Sequence, residues 1–193
     1  MESTALQVSI VVAQVASGIG LAACAGLRAF LPLLVVGLAG RAEWIPLTGK
    51  FGWLASTPAL VVFGVAVLVE ILADKFPVVD HFLDSIQAFV KPIAGAVLAA
   101  SVLAELTPLQ ASVLGLVTGG TVAGTIHLTK ANLRLVSSAT TAGLANPVLS
   151  VIEDVGALLG SVLALVVPVL VVLLLVGALT GVWVFIRRSR RRA

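Results

Sequence analysis

One apolar run near the N-terminus limits what this chain can fold into. It extends from Ala5 to Gly40 and contains a single charged residue, Arg28. A helix needs about 20 mostly apolar residues to cross a bilayer, so the run is too long for one crossing. Because Arg28 and Pro32 interrupt it, we expect a span from about Leu6 to Leu27. A short apolar piece over 29–40 follows, and a re-entrant segment is one reading of it.

The composition requires a lipid environment for this run and for the rest of the chain. Of the 193 residues, 60% are hydrophobic and 11% are charged, and the mean hydropathy is +1.17. Soluble domains carry about 25% charged and roughly 45–50% apolar residues. A soluble chain of this length could not bury so much apolar surface. The sequence therefore predicts an integral membrane protein.

The remaining apolar runs predict further spans. Pro58 suits the first turn of a helix, the segment 78–91 is amphipathic, and Pro92 marks a kink within a longer helix. The expected spans cover about 53–73, 78–106, 109–128, 147–167 and 169–186. The predicted fold class is all-α, a polytopic transmembrane bundle of about six spans, with one domain over 1–186 and a basic tail over 187–193.

Two glycine pairs lie on the predicted span 109–128. Gly115 and Gly119 are four residues apart, and so are Gly120 and Gly124. This spacing permits close approach of two helices in lipid. Asn146, before Pro147, is predicted to cap the next helix.

Charge placement predicts the topology. Five of the twelve basic residues lie in 187–192, so the positive-inside rule puts this tail in the cytoplasm. Six crossings then place both termini, 75–91 and 129–146 on the cytoplasmic side of a bacterial inner membrane. The tail is expected to contact anionic lipid headgroups, and its position gives no basis for nucleic-acid binding. A homo-oligomer is left open.

An internal repeat is one interpretation of the two halves. Leu6–Ile10 resembles Leu109–Val113, and Thr57-Pro58 resembles Asn146-Pro147 at a different offset. An inverted 3+3 repeat over 5–107 and 108–186 would follow, as in many transporters with broken or re-entrant helices. Segments rich in Ala, Val and Leu also match each other by chance, so the offset stays open.

Ionisable residues within or beside spans are the candidate site. They are costly in lipid and are functional candidates by default; the substrate- or ion-binding candidates are Arg28, Glu70, Asp74, Asp80, Asp84, Lys130, Glu153 and Asp154. Glu70 and Asp74 share one helix face. Two carboxylates there need a cation, a proton or an arginine between them, and Arg28, Lys130 or a transported cation would serve. A buried ion pair that only fixes helix packing is the alternative.

Three further expectations concern neighbouring residues. Lys91 or Lys130 is expected to pair with the adjacent carboxylates Glu153 and Asp154. His127 is expected to cap a helix or reach the interface. Asp80, His81 and Asp84 could hold a divalent metal, as in lipid-headgroup transferases of the CDP-alcohol type. The D-G-x2-A-R run of those enzymes is absent, and a solvated amphipathic face is the alternative.

The leading functional hypothesis is a small transporter or channel-like protein that moves a cation, a proton or a small solute. The alternatives are a metal-dependent enzyme acting on lipid headgroups and a structural or assembly protein without chemistry. A nucleotide-binding Gly-rich loop, G-x-S-x-G and H-E-x-x-H are missing. One cysteine, Cys24, gives no basis for dithiol chemistry or haem attachment. No cofactor is predicted, and an enzyme is the less favoured reading.

The polar positions also carry a family resemblance. Gly26-Leu27-Arg28-Ala29-x2-Pro32, Glu70-x3-Asp74-Lys75-x-Pro77-x2-Asp80-x3-Asp84 and Asn146-Pro147 with Glu153-Asp154 resemble a bacterial membrane family, the domain of unknown function 4126. The resemblance covers roughly residues 15–165, and the Asp-Lys-x-Pro-x2-Asp stretch is its most specific part. It implies an all-helical membrane domain and no established activity.

Overall fold

A computed structural model describes the backbone of residues 2–47, 49–73, 77–142 and 144–190, but not the side chains at 2–3, 77–82, 84, 169, 171–172, 175, 182, 184–186 and 188–190. All regular structure in these ranges is helical, which confirms the predicted class. The eight α-helices are α1 (Glu2–Leu27), α2 (Phe30–Arg41), α3 (Thr57–Ala73), α4 (Pro77–Ser101), α5 (Pro108–Leu114), α6 (Gly120–Thr141), α7 (Asn146–Val166) and α8 (Pro168–Arg190). A 3₁₀ helix over Gly49–Ala55 precedes α3, and a π-helix over Gly115–Gly119 joins α5 to α6.

Three helical stretches of the described chain are long and apolar enough to cross a membrane. They are Thr4–Leu27, Pro108–Thr141 and Asn146–Val166. The 3₁₀ helix and α3 pass the same test together, although the chain bends by 59° between them. Phe30–Arg41 and Ser85–Ser101 are shorter apolar helices.

The predicted interruption at Arg28 is confirmed. Helix α1 ends at Leu27 and α2 begins at Phe30, so the long apolar run is two helices. Pro32 does not break helix α2, because it lies in the first turn, where the N–H that proline lacks would have no partner within the helix. The run from Pro77 to Ser101 is one helix through Pro92, as the sequence indicated.

The polar stretch 129–146, which the sequence predicts to lie between two spans, is helical as far as Thr141. Its threonine hydroxyls hydrogen-bond within the helix: Thr125 Oγ1 donates to the Thr121 carbonyl at 2.8 Å, and Thr129 Oγ1 donates to the Thr125 carbonyl at 2.8 Å. Such bonds to the residue four positions back satisfy the side chain without ending the helix. The polar composition therefore did not indicate a boundary at Leu128.

The predicted capping role of Asn146 is wrong. Asn146 is the first residue of α7, and its Nδ2 donates to Ser138 Oγ at 2.9 Å. Pro147 lies in the first turn, where proline suits a helix. The predicted break at Pro168 is confirmed, because α7 ends at Val166 and α8 begins at Pro168.

Helix α1 lies in the middle of the bundle and contacts α2, α4, α6, α7 and α8. Small residues bring α4 close to the π-helix. A Cβ built on Gly115 would lie 2.6 Å from the Ala96 carbonyl oxygen, and one on Gly95 would lie 2.6 Å from the Gly119 carbonyl oxygen. The predicted close approach at Gly115 and Gly119 is confirmed, whereas Gly120 and Gly124 make only ordinary contacts with Pro92.

Candidate functional site

The break between α1 and α2 lies inside the bundle. Arg28 is 2% exposed and Ala29 is 0% exposed. Helix ends leave backbone N–H and C=O groups without partners in their own helix. In a buried place these groups need other partners, and here two charged side chains supply them.

Glu70 on α3 binds the N-terminal end of α2. Its Oε1 accepts from the Ala29 N–H at 3.1 Å, and its Oε2 accepts from the Phe30 N–H at 3.3 Å. Gln87 on α4 donates from Nε2 to Oε1 at 2.8 Å. A carboxylate is favourable at a helix N-terminus because it opposes the helix dipole. Glu70 thus acts as a cap supplied from another helix.

Lys130 on α6 binds the C-terminal end of α1. Its Nζ donates to the Leu27 carbonyl at 3.2 Å and pairs with Glu153 Oε2 at 2.9 Å. Arg134 Nη2 contacts the same carboxylate oxygen at 3.0 Å. A cation at a helix C-terminus is again favourable for the dipole. The expected pairing of Lys130 with Glu153 is confirmed.

Arg28, in the break itself, connects α3 and α7. Its Nε pairs with Asp154 Oδ1 at 2.6 Å, and its Nη2 donates to Ser150 Oγ at 2.8 Å. Its Nη1 donates to the main-chain carbonyl of Glu70 at 3.4 Å. The Glu70 carboxylate binds the backbone of α2. Because Asp74 lies outside the described residues, a position of Arg28 between these two carboxylates stays a prediction.

Lys91 and His127 form a second buried contact. Lys91 is 0% exposed, and its Nζ lies 3.2 Å from His127 Nδ1. Gln87 and Lys91 are four residues apart and so share one face of α4. The expectation that His127 caps a helix or reaches the interface is wrong, since α6 continues past it to Thr141 and His127 is only 7% exposed.

Four helices and the α1–α2 break therefore contribute to one cluster, the polar belt: Arg28 in the break, Glu70 on α3, Gln87 and Lys91 on α4, His127, Lys130 and Arg134 on α6, and Ser150, Glu153 and Asp154 on α7. Five members were not among the predicted site residues: Gln87, Lys91, His127, Arg134 and Ser150. The helical spacing of polar residues on α4 and α6 was the signal that could have found the first four.

The side chains of the other predicted site residues are not described by the structure. Asp74 is not among the described residues, and Asp80, His81 and Asp84 lie on α4 at positions whose side chains are not described. Within the described residues, no group of three or more His, Cys, Asp or Glu side chains could hold a metal ion. The proposed metal pair at Asp80 and Asp84 stays a prediction.

The fold and the polar belt define a helical-bundle protein in which charged side chains are buried against a broken helix. Three helical stretches of the described chain are also long and apolar enough to cross a membrane. The chain belongs to the family described as domain of unknown function (DUF4126), whose model matches residues 15–188. This match begins within α1 and includes α2–α7 and most of α8. Neither a curated protein nor a solved structure matches the chain.

Proposed function

We propose that this chain is a small transporter of the bacterial inner membrane, which moves a cation or a proton through the polar belt. The expected six spans correspond to α1, α3, α4, α5 with α6, α7 and α8, and α2 is then a re-entrant or partial helix. Both termini lie in the cytoplasm in this topology. The inverted repeat of 5–107 and 108–186 remains a prediction.

The observation that carries the proposal is the α1–α2 break and its two charged caps. Backbone groups without partners are very unfavourable in lipid, so non-helical backbone at membrane depth is tolerated where protein buries it or where it lines a cavity. In many transporters, the ends of broken helices bind the transported ion. Here Glu70 and Lys130 occupy the two ends.

Glu70 is the group that we assign to the transported ion. A proton or a cation on its carboxylate neutralises the charge that holds the Ala29 and Phe30 N–H groups. Hydrogen bonds to a charged acceptor are about twice as strong as neutral ones. Ion binding therefore loosens the N-terminal end of α2, while the Lys130–Glu153 and Arg28–Asp154 pairs keep α1, α6 and α7 together.

Ion flux in sealed vesicles tests this function. The purified protein is reconstituted into liposomes that contain a pH-sensitive dye, and a series of monovalent and divalent cations is also tried under an imposed potential. We expect flux in the wild type and its loss in Glu70→Gln and in Asp74→Asn. Glu105→Gln, at an exposed position, is the matched control. Unchanged flux in both site variants for every ion would overturn the proposal.

A structural role is the second candidate, and a specific observation favours it. The described carboxylates of α7 are both paired, Asp154 with Arg28 and Glu153 with Lys130 and Arg134. Buried pairs of this kind can fix helix packing without any chemistry. This candidate predicts vesicles whose permeability equals that of protein-free liposomes.

The C-terminal end of α8 supports a contact with lipid headgroups. The guanidinium of Arg187 lies 4.2 Å from the centroid of the Trp183 ring. Tryptophan is enriched at membrane interfaces, and clustered basic residues beside a span attract anionic lipids. Both residues are exposed, as a position in the headgroup region requires.

A further inference from the structure

The second half of α6 carries polar residues on its buried face and apolar residues outside. Beyond Ala123, every buried residue of this helix is polar or charged: His127, Lys130, Arg134 and Ser137. Leu128, Leu135 and Val136 lie between these positions and are 63%, 68% and 61% exposed. A surface helix of a soluble protein has the opposite arrangement. In a membrane protein, polar residues of a helix face the bundle interior or a water-filled space.

The first turns of α7 repeat this arrangement. Asn146, Ser150 and Glu153 share one face at helical spacing, whereas Val151 is 61% exposed. Arg134 of α6 contacts the Glu153 carboxylate at 3.0 Å, so the polar faces of the two helices meet. The interface between α6 and α7 is therefore polar on both sides.

Two buried polar atoms at this interface, Ser137 Oγ and Asn146 Oδ1, have no hydrogen-bond partner within the described residues. The amide nitrogen of Asn146 donates to Ser138 Oγ at 2.9 Å. The threonine hydroxyls of α6 are satisfied, because each donates to a carbonyl one turn earlier: Thr121, Thr125, Thr129, Thr140 and Thr141. Buried polar atoms are nearly always hydrogen-bonded, and water is the partner where protein supplies none.

The acids of the polar belt are most exposed on α7. The Asp154 side chain is 23% exposed and that of Glu153 is 12% exposed, whereas Glu70 is 2% exposed. A charged side chain in contact with lipid is costly, so the exposed part of Asp154 requires water around it. The two acids of α7 are thus the acids of the belt that water would reach first.

We propose that water enters between α6 and α7 from the turn that joins them and reaches the polar belt at Glu153 and Asp154. Ser137 and Asn146 line the outer part of this path. Between Ser137 and Lys130 it is about 10 Å long, since a helix rises 1.5 Å per residue. The inference goes beyond the proposed function, because it names the aqueous route to the belt and does not depend on the ion assigned to the site.

The reactivity of neighbouring cysteines on the two faces of α6 tests this path. Ser137→Cys places a thiol on the inner face, and Val136→Cys places one a residue away on the outer face. Each variant is reconstituted into liposomes, with sulfonatoethyl methanethiosulfonate, a membrane-impermeant anion, on both sides of the membrane. The thiolate is the form of cysteine that reacts, and it forms in water rather than in apolar surroundings.

We expect Ser137→Cys to react at least about tenfold faster than Val136→Cys. The wild type, whose Cys24 is 5% exposed, gives the baseline. Equally slow reaction of both variants would indicate a dry contact, in which the same groups only fix the packing of the two helices, and would overturn the proposal. Faster reaction of Val136→Cys would place water outside the bundle at this depth and would also overturn it.

A second pair, on α7, tests whether water reaches the belt. Ser150 is 8% exposed and binds Arg28, and Val151 is its outward neighbour at 61%. We expect Ser150→Cys to react at least about tenfold faster than Val151→Cys. Slow reaction of Ser150→Cys beside fast reaction of Ser137→Cys would show that water stops short of the belt and would overturn the proposal. This pair decides the question even where Ser137→Cys does not fold.

The outcome is distinguishable from failure of the proposed function. Fast labelling of the two inner positions, in a protein that shows no ion flux in vesicles, would support the water path and contradict transport. Flux that depends on Glu70, in a protein whose inner positions react slowly, would support transport and overturn the water path.

Discussion

Removing the Glu70 carboxylate should destabilise the protein by leaving three donors, two of them buried and one half-buried, without an acceptor. These donors are the N–H groups of Ala29 and Phe30 and the Nε2 of Gln87, at 3.1, 3.3 and 2.8 Å from the carboxylate oxygens. A buried donor left unsatisfied costs about 1–3 kcal/mol. For Glu70→Ala we therefore expect a loss of roughly 3–6 kcal/mol in the free energy of unfolding.

Unfolding of the purified protein by SDS in mixed micelles, followed by circular dichroism, measures this loss. Glu70→Gln keeps one acceptor oxygen and should lose less, about 1–3 kcal/mol. The control Glu105→Gln changes an exposed side chain and should remain within about 0.5 kcal/mol of the wild type. A loss below about 1 kcal/mol for Glu70→Ala would refute the capping role.

Three further predictions follow from other contacts. In Gly119→Ala the new Cβ would lie 2.7 Å from the Ala99 Cβ, and this overpacking should cost about 1–3 kcal/mol of stability. In Gly64→Ala the new Cβ meets no atom within 4 Å, and the change should stabilise α3 by about 0.5–1 kcal/mol. The same SDS titration measures both variants, and equal effects would contradict the close approach at Gly119. Arg28→Met should cost about 3–5 kcal/mol by removing the ion-pair partner of the Asp154 carboxylate, and Asp154→Leu added to it should recover part of this loss. Additive losses in the double-mutant cycle would contradict the ion pair. Cys24, the single cysteine and only 5% exposed, should react with a maleimide only after unfolding; fast labelling of the folded protein would contradict its burial.

The sequence predicted most helix boundaries because they depend on local features. A charge at Arg28 within an apolar run and a proline at 168 both predict a break, and both breaks are present. The helix does not end at Leu128, and composition could not show this because it does not reveal how a polar side chain is satisfied. Thr125 and Thr129 hydrogen-bond to carbonyls of their own helix, so the helix continues.

The candidate site was predictable by residue type but not by partner. The rarity of charge in apolar segments singled out Arg28, Glu70, Lys130 and the adjacent acids of α7. Which atoms these side chains bind depends on the tertiary structure. Glu70 binds backbone groups 41 and 40 residues away in the chain, and no local pattern encodes a contact at that distance.

Ser150 and His127, two further members of the polar belt, were also missed because their partners depend on the tertiary structure. Ser150 binds the Arg28 guanidinium from 122 positions along the chain, and a serine in a helix is unremarkable in sequence. His127 was expected at a helix end, because α6 was predicted to stop beside it. Its burial against Lys91 follows from the longer helix.

Chemical modification of Glu70 tests the central claim most directly. A hydrophobic carbodiimide reacts with carboxyl groups that it reaches from lipid, and mass spectrometry of the modified peptides gives the modified fraction of each carboxyl. The measurement is the ion flux of vesicles plotted against the modified fraction of Glu70. The account predicts that Glu70 is modified and that flux falls in proportion, reaching the protein-free level at full modification. Full modification of Glu70 with undiminished flux would contradict it.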